Sequence, residues 1–204
     1  MRRKLTVAVA LLLVGLALSG SDCILEEKVI ELVVLGETCV DFDESHVTDN
    51  WTTPETHDIA DELDDILADN GIDKNQIISA EVISVTYEVT ELPEDAPDWR
   101  LWGAITVEYL GDLETFVNYS DERLSDLDGV AKYADLNEDG IDVIHNAIDS
   151  YLLDGSPVVT FRVENGDVDP NPSVEVPIVF SWKACLKIYV IVEEDYEWPD
   201  IFRD

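Results

Sequence analysis

Positive charge is what this chain lacks most. Its 204 residues hold 12 Lys and Arg against 46 Asp and Glu, a formal net charge of −34 with histidine neutral. A surface of that sign repels phosphate, so nucleic acid and anionic membrane are excluded as expected partners. Metal-binding nitrogen and sulfur are scarce too. His46, His57 and His145 are scattered, and Cys23, Cys39 and Cys185 include no Cys-x-x-Cys pair, whereas zinc needs three or four converging ligands. For His57, with Asp58 and Asp61 nearby, the expectation is a solvated helix face. No serine lies in a Gly-x-Ser-x-Gly elbow, so Ser-His-Asp hydrolysis has no anchor. Paired carboxylates of the kind used in glycoside hydrolysis are so abundant that no pair stands out. No internal repeat or low-complexity linker divides the chain, and its length suits one domain.

Long apolar runs are limited to one. Leu5 to Leu18 follows Met1-Arg2-Arg3-Lys4 and ends in Ser19-Gly20-Ser21. A basic start, a short apolar centre and a small-x-small exit identify residues 1–21 as a secretory signal, shorter than the roughly 20 apolar residues of a spanning helix. Cleavage after Ser21 leaves 9 bases against 46 acids, a net charge of −37. Cys23 raises the alternative of a lipid anchor, but Ser21 and Asp22 separate it from Leu18-Ser19-Gly20, and an acid stands where a lipobox has a small residue. The expected location is extracytoplasmic: secreted, periplasmic or at the cell surface. In an oxidising compartment three cysteines give one disulfide and one leftover thiol. Cys39 and Cys185 are the favoured pair if the terminal strands lie side by side, with Cys23–Cys39 as the alternative.

Self-repulsion at this charge destabilises a compact state in dilute salt, and concentrated salt screens it. The acidity therefore fits a solvated surface adapted to salty surroundings, or carboxylates gathered to hold calcium. Disorder is disfavoured because 46% of residues are hydrophobic and fall into periodic segments.

Val29 to Leu35 reads as a buried strand closed by Gly36, followed by a polar stretch from Asp41 to Thr52. Thr53-Pro54-Glu55 predicts a helix start, with Ile59, Leu63, Ile66 and Leu67 as its stripe and Asn70-Gly71 as its stop. Ile77 to Thr90 alternates, with Ile77, Ile83, Val85, Tyr87 and Val89 on one face, and Leu101 to Leu110 repeats the pattern. Phe116 to Tyr119 is a short strand. A second helix is expected over Ile141 to Leu153. Val158 to Val163 and Val174 to Val192 supply the closing strands, the latter split or bulged near Pro177 and Ser181-Trp182, and an acidic tail runs from Glu193 to Asp204. Strands joined by turns, without regular strand-helix alternation, predict a mainly β fold: an antiparallel, immunoglobulin-like β-sandwich over residues 22–204 with two helical insertions near 54–70 and 141–153.

The most specific motif is Asp135-Leu136-Asn137-Glu138-Asp139-Gly140-Ile141. Alternating oxygen-bearing side chains aim at one ion, and a glycine permits a sharp turn after them. The segment resembles the calcium loop of EF-hands and of dockerin modules over about 12 residues. The resemblance implies side-chain ligands from Asp135, Asn137 and Asp139 and a carbonyl from Ile141, with calcium as the cofactor. It departs at Asp142, where the family has an apolar residue, and at Asn146, where it has the closing carboxylate. Without an ion, Asp139 would simply cap the second helix.

Asn165-Gly166-Asp167-Val168-Asp169-Pro170 reads as a hairpin turn, since Asn-Gly is a favoured two-residue loop. Trp51, Trp99 and Trp102 sit in or beside loops and suggest an aromatic binding face. Asn50-Trp51-Thr52 and Asn118-Tyr119-Ser120 match the acceptor triplet for N-linked sugars, which matters only in a host that glycosylates exported proteins. Together these features predict a non-enzymatic binding or structural surface protein stabilised by salt or calcium. The alternatives are a lipid-anchored envelope protein and an extracellular carbohydrate-active hydrolase.

Overall fold

The computed structural model describes residues 28–196; the segment expected to be a secretory signal, Cys23 and the last eight residues of the acidic tail lie outside them. Two four-stranded antiparallel sheets carry the chain. The first has the order β1 (Lys28–His46), β8 (Ile178–Tyr196), β3 (Ile77–Glu91) and β6 (Lys132–Tyr133). The second has the order β2 (Trp51–Asp58), β7 (Val158–Asp169), β4 (Arg100–Tyr109) and β5 (Asp112–Arg123). Among the described residues the helices are α1 (Ile59–Asn70), the single turn α2 (Leu124–Leu127) and α3 (Glu138–Leu152).

Both sheets contribute to one core. Phe42, Phe180 and Trp182 of the first sheet share it with Ile105, Phe116, Tyr119 and Phe161 of the second. The Trp182 ring bridges them, 5.7 Å edge-on from Tyr119 and 5.9 Å from both Phe42 and Phe180. Burial of these large rings is the main favourable term, and their alternation with polar neighbours sets which face of each strand turns inward.

The two terminal strands pair along their whole 19-residue lengths, from Lys28 opposite Tyr196 to His46 opposite Ile178. Cys39 and Cys185 face each other in that register and form a disulfide. β8 is one continuous strand from Ile178, so of the two alternatives near Ser181-Trp182 the split is absent, while a register shift does fall opposite these residues, between Val89 and Glu91 of β3. The irregularities fall instead on its partner β3, and the register shift between Val82 and Ser84 turns Ile83 outward, 46% exposed, while Val82 takes the core position. A bulge adds one residue and flips parity, which strict alternation does not anticipate.

Gly36 does not close β1. The strand runs ten residues further, with Thr38, Val40, Phe42 and Glu44 buried and Asp41 and Asp43 exposed. Gly36 is needed because α1 crosses there: a Cβ would meet the Ile66 side chain at 2.1 Å. The Thr53-Pro54-Glu55 segment is strand β2 rather than a helix start, and α1 begins at Ile59 with Asp58 as its cap, accepting from the Ala60 N–H at 3.0 Å. β2 is the outer strand of its sheet, where proline is tolerated. The stop is as the sequence reads: Gly71 is left-handed, φ 67°, and its N–H returns to Ala68 and Leu67. The Asn165-Gly166 turn also fails, for β7 continues through it with a register shift at Gly166 and pairs as far as Asp169 opposite Arg100. Asn165 is buried there, its amide donating to the Asp49 carbonyl at 2.8 Å.

Candidate functional site

An open groove of about 800 Å3 lies where the edges of the two sheets part. Its floor is residues 132–137, which cross from one sheet to the other. Lys132 and Tyr133 pair with β3, and the Ala134 N–H reaches the Val85 carbonyl at 2.9 Å. Leu136 bridges Val117, and the Asn137 N–H then bonds the Phe116 carbonyl at 3.0 Å. Alternation along β5 turns Asn118 and Ser120 into the groove and Val117 and Tyr119 into the core, and the register shift between Ile105 and Thr106 lets Phe116 be buried beside Val117.

On one side Lys132 forms an ion pair with Glu122, and its ammonium lies 6.0 Å from the Tyr87 ring centroid, the outer reach of a cation–π contact. Burial pushes the Tyr87 hydroxyl up to about 12, Glu122 adding to the effect and Lys132 opposing it. The hydrogen bond to Glu122 holds the Lys132 ammonium above its ordinary range. On the other side Asp135, Glu138 and Asp139 are exposed, and Tyr133 stands out of the surface with 69% of its area accessible. Four acids against one base make the groove negative.

The calcium motif borders this groove, and α3 starts inside it. Asn137 is the helix cap, its Oδ1 accepting from the Asp139 N–H at 3.0 Å, and Glu138 and Asp139 occupy the first turn, where the helix dipole favours acids. Gly140 is helical and buried; a Cβ there would meet the Thr115 carbonyl oxygen at 2.4 Å and Phe116 Cα at 2.5 Å. Its small size serves the seating of α3 on β5. Ile141 donates its N–H to the Asn137 carbonyl, the first intrahelical bond. Among the described residues no three His, Cys, Asp or Glu side chains converge as a metal group.

No family model and no curated protein matches this chain. The residues therefore have to be read on their own chemistry.

The aromatic face expected from tryptophan does not form. Trp99 is 3% exposed and Trp102 half-buried, while Trp51 stacks on His46 with ring centroids 4.4 Å apart. Tyrosine 133 provides the exposed ring instead. His57 is not on a solvated helix face: it lies on β2, its Nε2 3.0 Å from Thr38 Oγ1 and 3.2 Å from Glu62 Oε1. The helix begins at Ile59, five residues beyond Pro54, so His57 precedes it. His145 is spent on the fold, its Nε2 taking the Val82 N–H at 3.3 Å.

Sequence reasoning missed Glu44. Its residue is 2% exposed, and its carboxylate accepts from His46 Nε2 and Thr53 Oγ1, each at 2.6 Å, and from Trp182 Nε1 at 3.4 Å. A buried carboxylate survives only with such donors. Tyr119 nearby has its hydroxyl pushed far up by burial, with Glu44 and then Glu164 adding to it. The available signal was parity, since Glu44 continues the inward series Thr38, Val40, Phe42.

Proposed function

We propose that the chain is an exported, highly acidic, non-enzymatic binding or surface protein that takes its ligand along the groove between β5 and β6. The observation that carries this reading is the gathering of side chains from both sheets and from the entry of α3 onto one open surface. Tyr133 offers a ring face, and Asn118, Ser120 and Asp135 offer hydrogen bonds around it. The negative balance of Glu122, Asp135, Glu138 and Asp139 over Lys132 favours a neutral or cationic ligand. Two antiparallel four-stranded sheets sharing one core support a β-sandwich, and the proposal takes an immunoglobulin-like layering with a different strand order, the first strand pairing with the last.

The leader supports export, and Cys23 supports the lipid-anchored variant of the same reading. Calcium belongs to the proposal as a stabiliser drawing on Asp135, Asn137 and Asp139. Arrays of neutral glycans and of cationic peptides test the site. Tyr133→Ala and Asp135→Asn are each expected to weaken binding of the captured class at least tenfold with the thermal midpoint unchanged. Undiminished binding in both variants, or no capture by the wild-type chain, rejects the groove.

A further inference from the structure

Asn50-Trp51-Thr52 and Asn118-Tyr119-Ser120 are equal as sequence motifs. They are unequal in the fold. We propose that Asn50 is an acceptor for N-linked glycosylation and that Asn118 is not. The assignment rests on the export reading, because the transfer takes place outside the cytoplasm.

Residues 47–50 connect β1 to β2, and Asn50 ends that connection fully on the surface. Its carboxamide has no hydrogen-bond partner among the described residues, while its carbonyl takes the Thr48 hydroxyl at 2.9 Å. The loop behind it is tied down through the bond from Asn165 to the Asp49 carbonyl. Strand parity then sorts the triplet: Trp51 turns inward onto His46, and Asn50 and Thr52 are both exposed. The two groups a transferase reads, the carboxamide and the hydroxyl two residues on, thus stand exposed where the connection enters β2, an outer strand of the second sheet.

Asn118 and Ser120 are also exposed, but their backbone is held from two sides. Asn118 pairs with Ala104 of β4, and on the opposite edge Val117 bridges Leu136 and the Phe116 carbonyl takes the Asn137 N–H. Between the two exposed residues Tyr119 is 4% exposed in the core. Fitting this triplet into an enzyme would require opening β5 from both neighbours.

The co-substrate is a polyprenyl-phosphate-linked oligosaccharide. Asn50 Nδ2 bonds to the anomeric carbon, the anomeric carbon–oxygen bond to the lipid phosphate breaks with its electron pair leaving on the phosphate, and the amide nitrogen gives up one proton.

The test is intact and peptide mass spectrometry of the chain recovered from the exported fraction of its own host. The expected result is a chain beginning at Asp22, with a mass excess equal to a sum of sugar residues, localised to Asn50. Asn50→Gln and Thr52→Ala should abolish the excess, while Thr52→Ser and Asn118→Gln keep it. A bare Asn50 on a chain beginning at Asp22 overturns the assignment and leaves export standing, as does sugar on Asn118. A chain that still begins at Met1 overturns export and the acceptor together.

Discussion

Glu44 ties β1 to β2 and β8 through one side chain. Three donors converge on its buried carboxylate, so truncation takes away the acceptor that all three share. Glu44→Ala should cost about 3 kcal/mol, the scale of a charged hydrogen-bonded group lost from an interior, read as a lower midpoint in urea at unchanged slope. Glu44→Gln, which keeps one acceptor oxygen but not the charge, should cost less; equal losses would show that the retained oxygen contributes nothing and that the charge is what the donors serve. Tyr87 predicts behaviour at the alkaline end. Its folded-state pKa is raised from 10.0 to about 12, chiefly by burial. Its contribution is therefore fully present below pH 10 and lost as pH climbs through about 12. Tyr87→Phe should flatten the fall of the thermal midpoint across that window. Tyr119 and Tyr151, raised in the same direction, leave a residual slope in both proteins. An identical slope in wild type and variant would contradict the assignment. Neither residue announces these roles in the sequence, since an acid at an inward parity position reads as an exception until its donors are seen.

Helix α3 shows how an element's fit depends on one missing atom. Intrinsic propensity favours alanine over glycine inside a helix by about 1 kcal/mol. At position 140 the added Cβ meets backbone atoms of Thr115 and Phe116 under 3 Å away, and overpacking of that kind costs about 1–3 kcal/mol. Gly140→Ala is thus expected to destabilise the protein by up to about 2 kcal/mol net, measured by chemical unfolding; a stabilised variant would show that the α3–β5 seat is loose. Much of the element pattern was legible. Ile77 to Thr90, Leu101 to Leu110 and the Asn70-Gly71 stop are close to β3, β4 and the end of α1. Thr53-Pro54-Glu55 misled because an outer β-strand accepts the same residues as a helix start, and Asn165-Gly166 misled because burial of the Asn165 amide overrode turn chemistry.

Charge acts on the whole molecule. With a net −34 spread over the chain, self-repulsion opposes compaction, and molar NaCl reduces the screening length to about 3 Å. The thermal midpoint should therefore rise in NaCl, on the order of 5 °C if screening recovers about 2 kcal/mol. Millimolar CaCl2 at matched low ionic strength separates the second source of stability. A rise with calcium but not magnesium, lost in Asp135→Ala and Asp139→Ala, would assign an ion to the mouth of the groove. A rise with NaCl alone would leave the acidity as a general surface property.

Charge, the alternation of most strands and the two longer helical stripes follow from the sequence alone, because they depend on local composition and on the periods of 2 and 3.6 residues. Tertiary structure decided the rest: that β8 pairs β1 on one side and β3 on the other, that bulges expose Ile83, that Glu44 is buried, and that residues 132–137 cross between the sheets to make the groove. Those outcomes are set by contacts between residues as far apart in the sequence as Lys28 and Tyr196. No local pattern encodes which distant surface a side chain will meet.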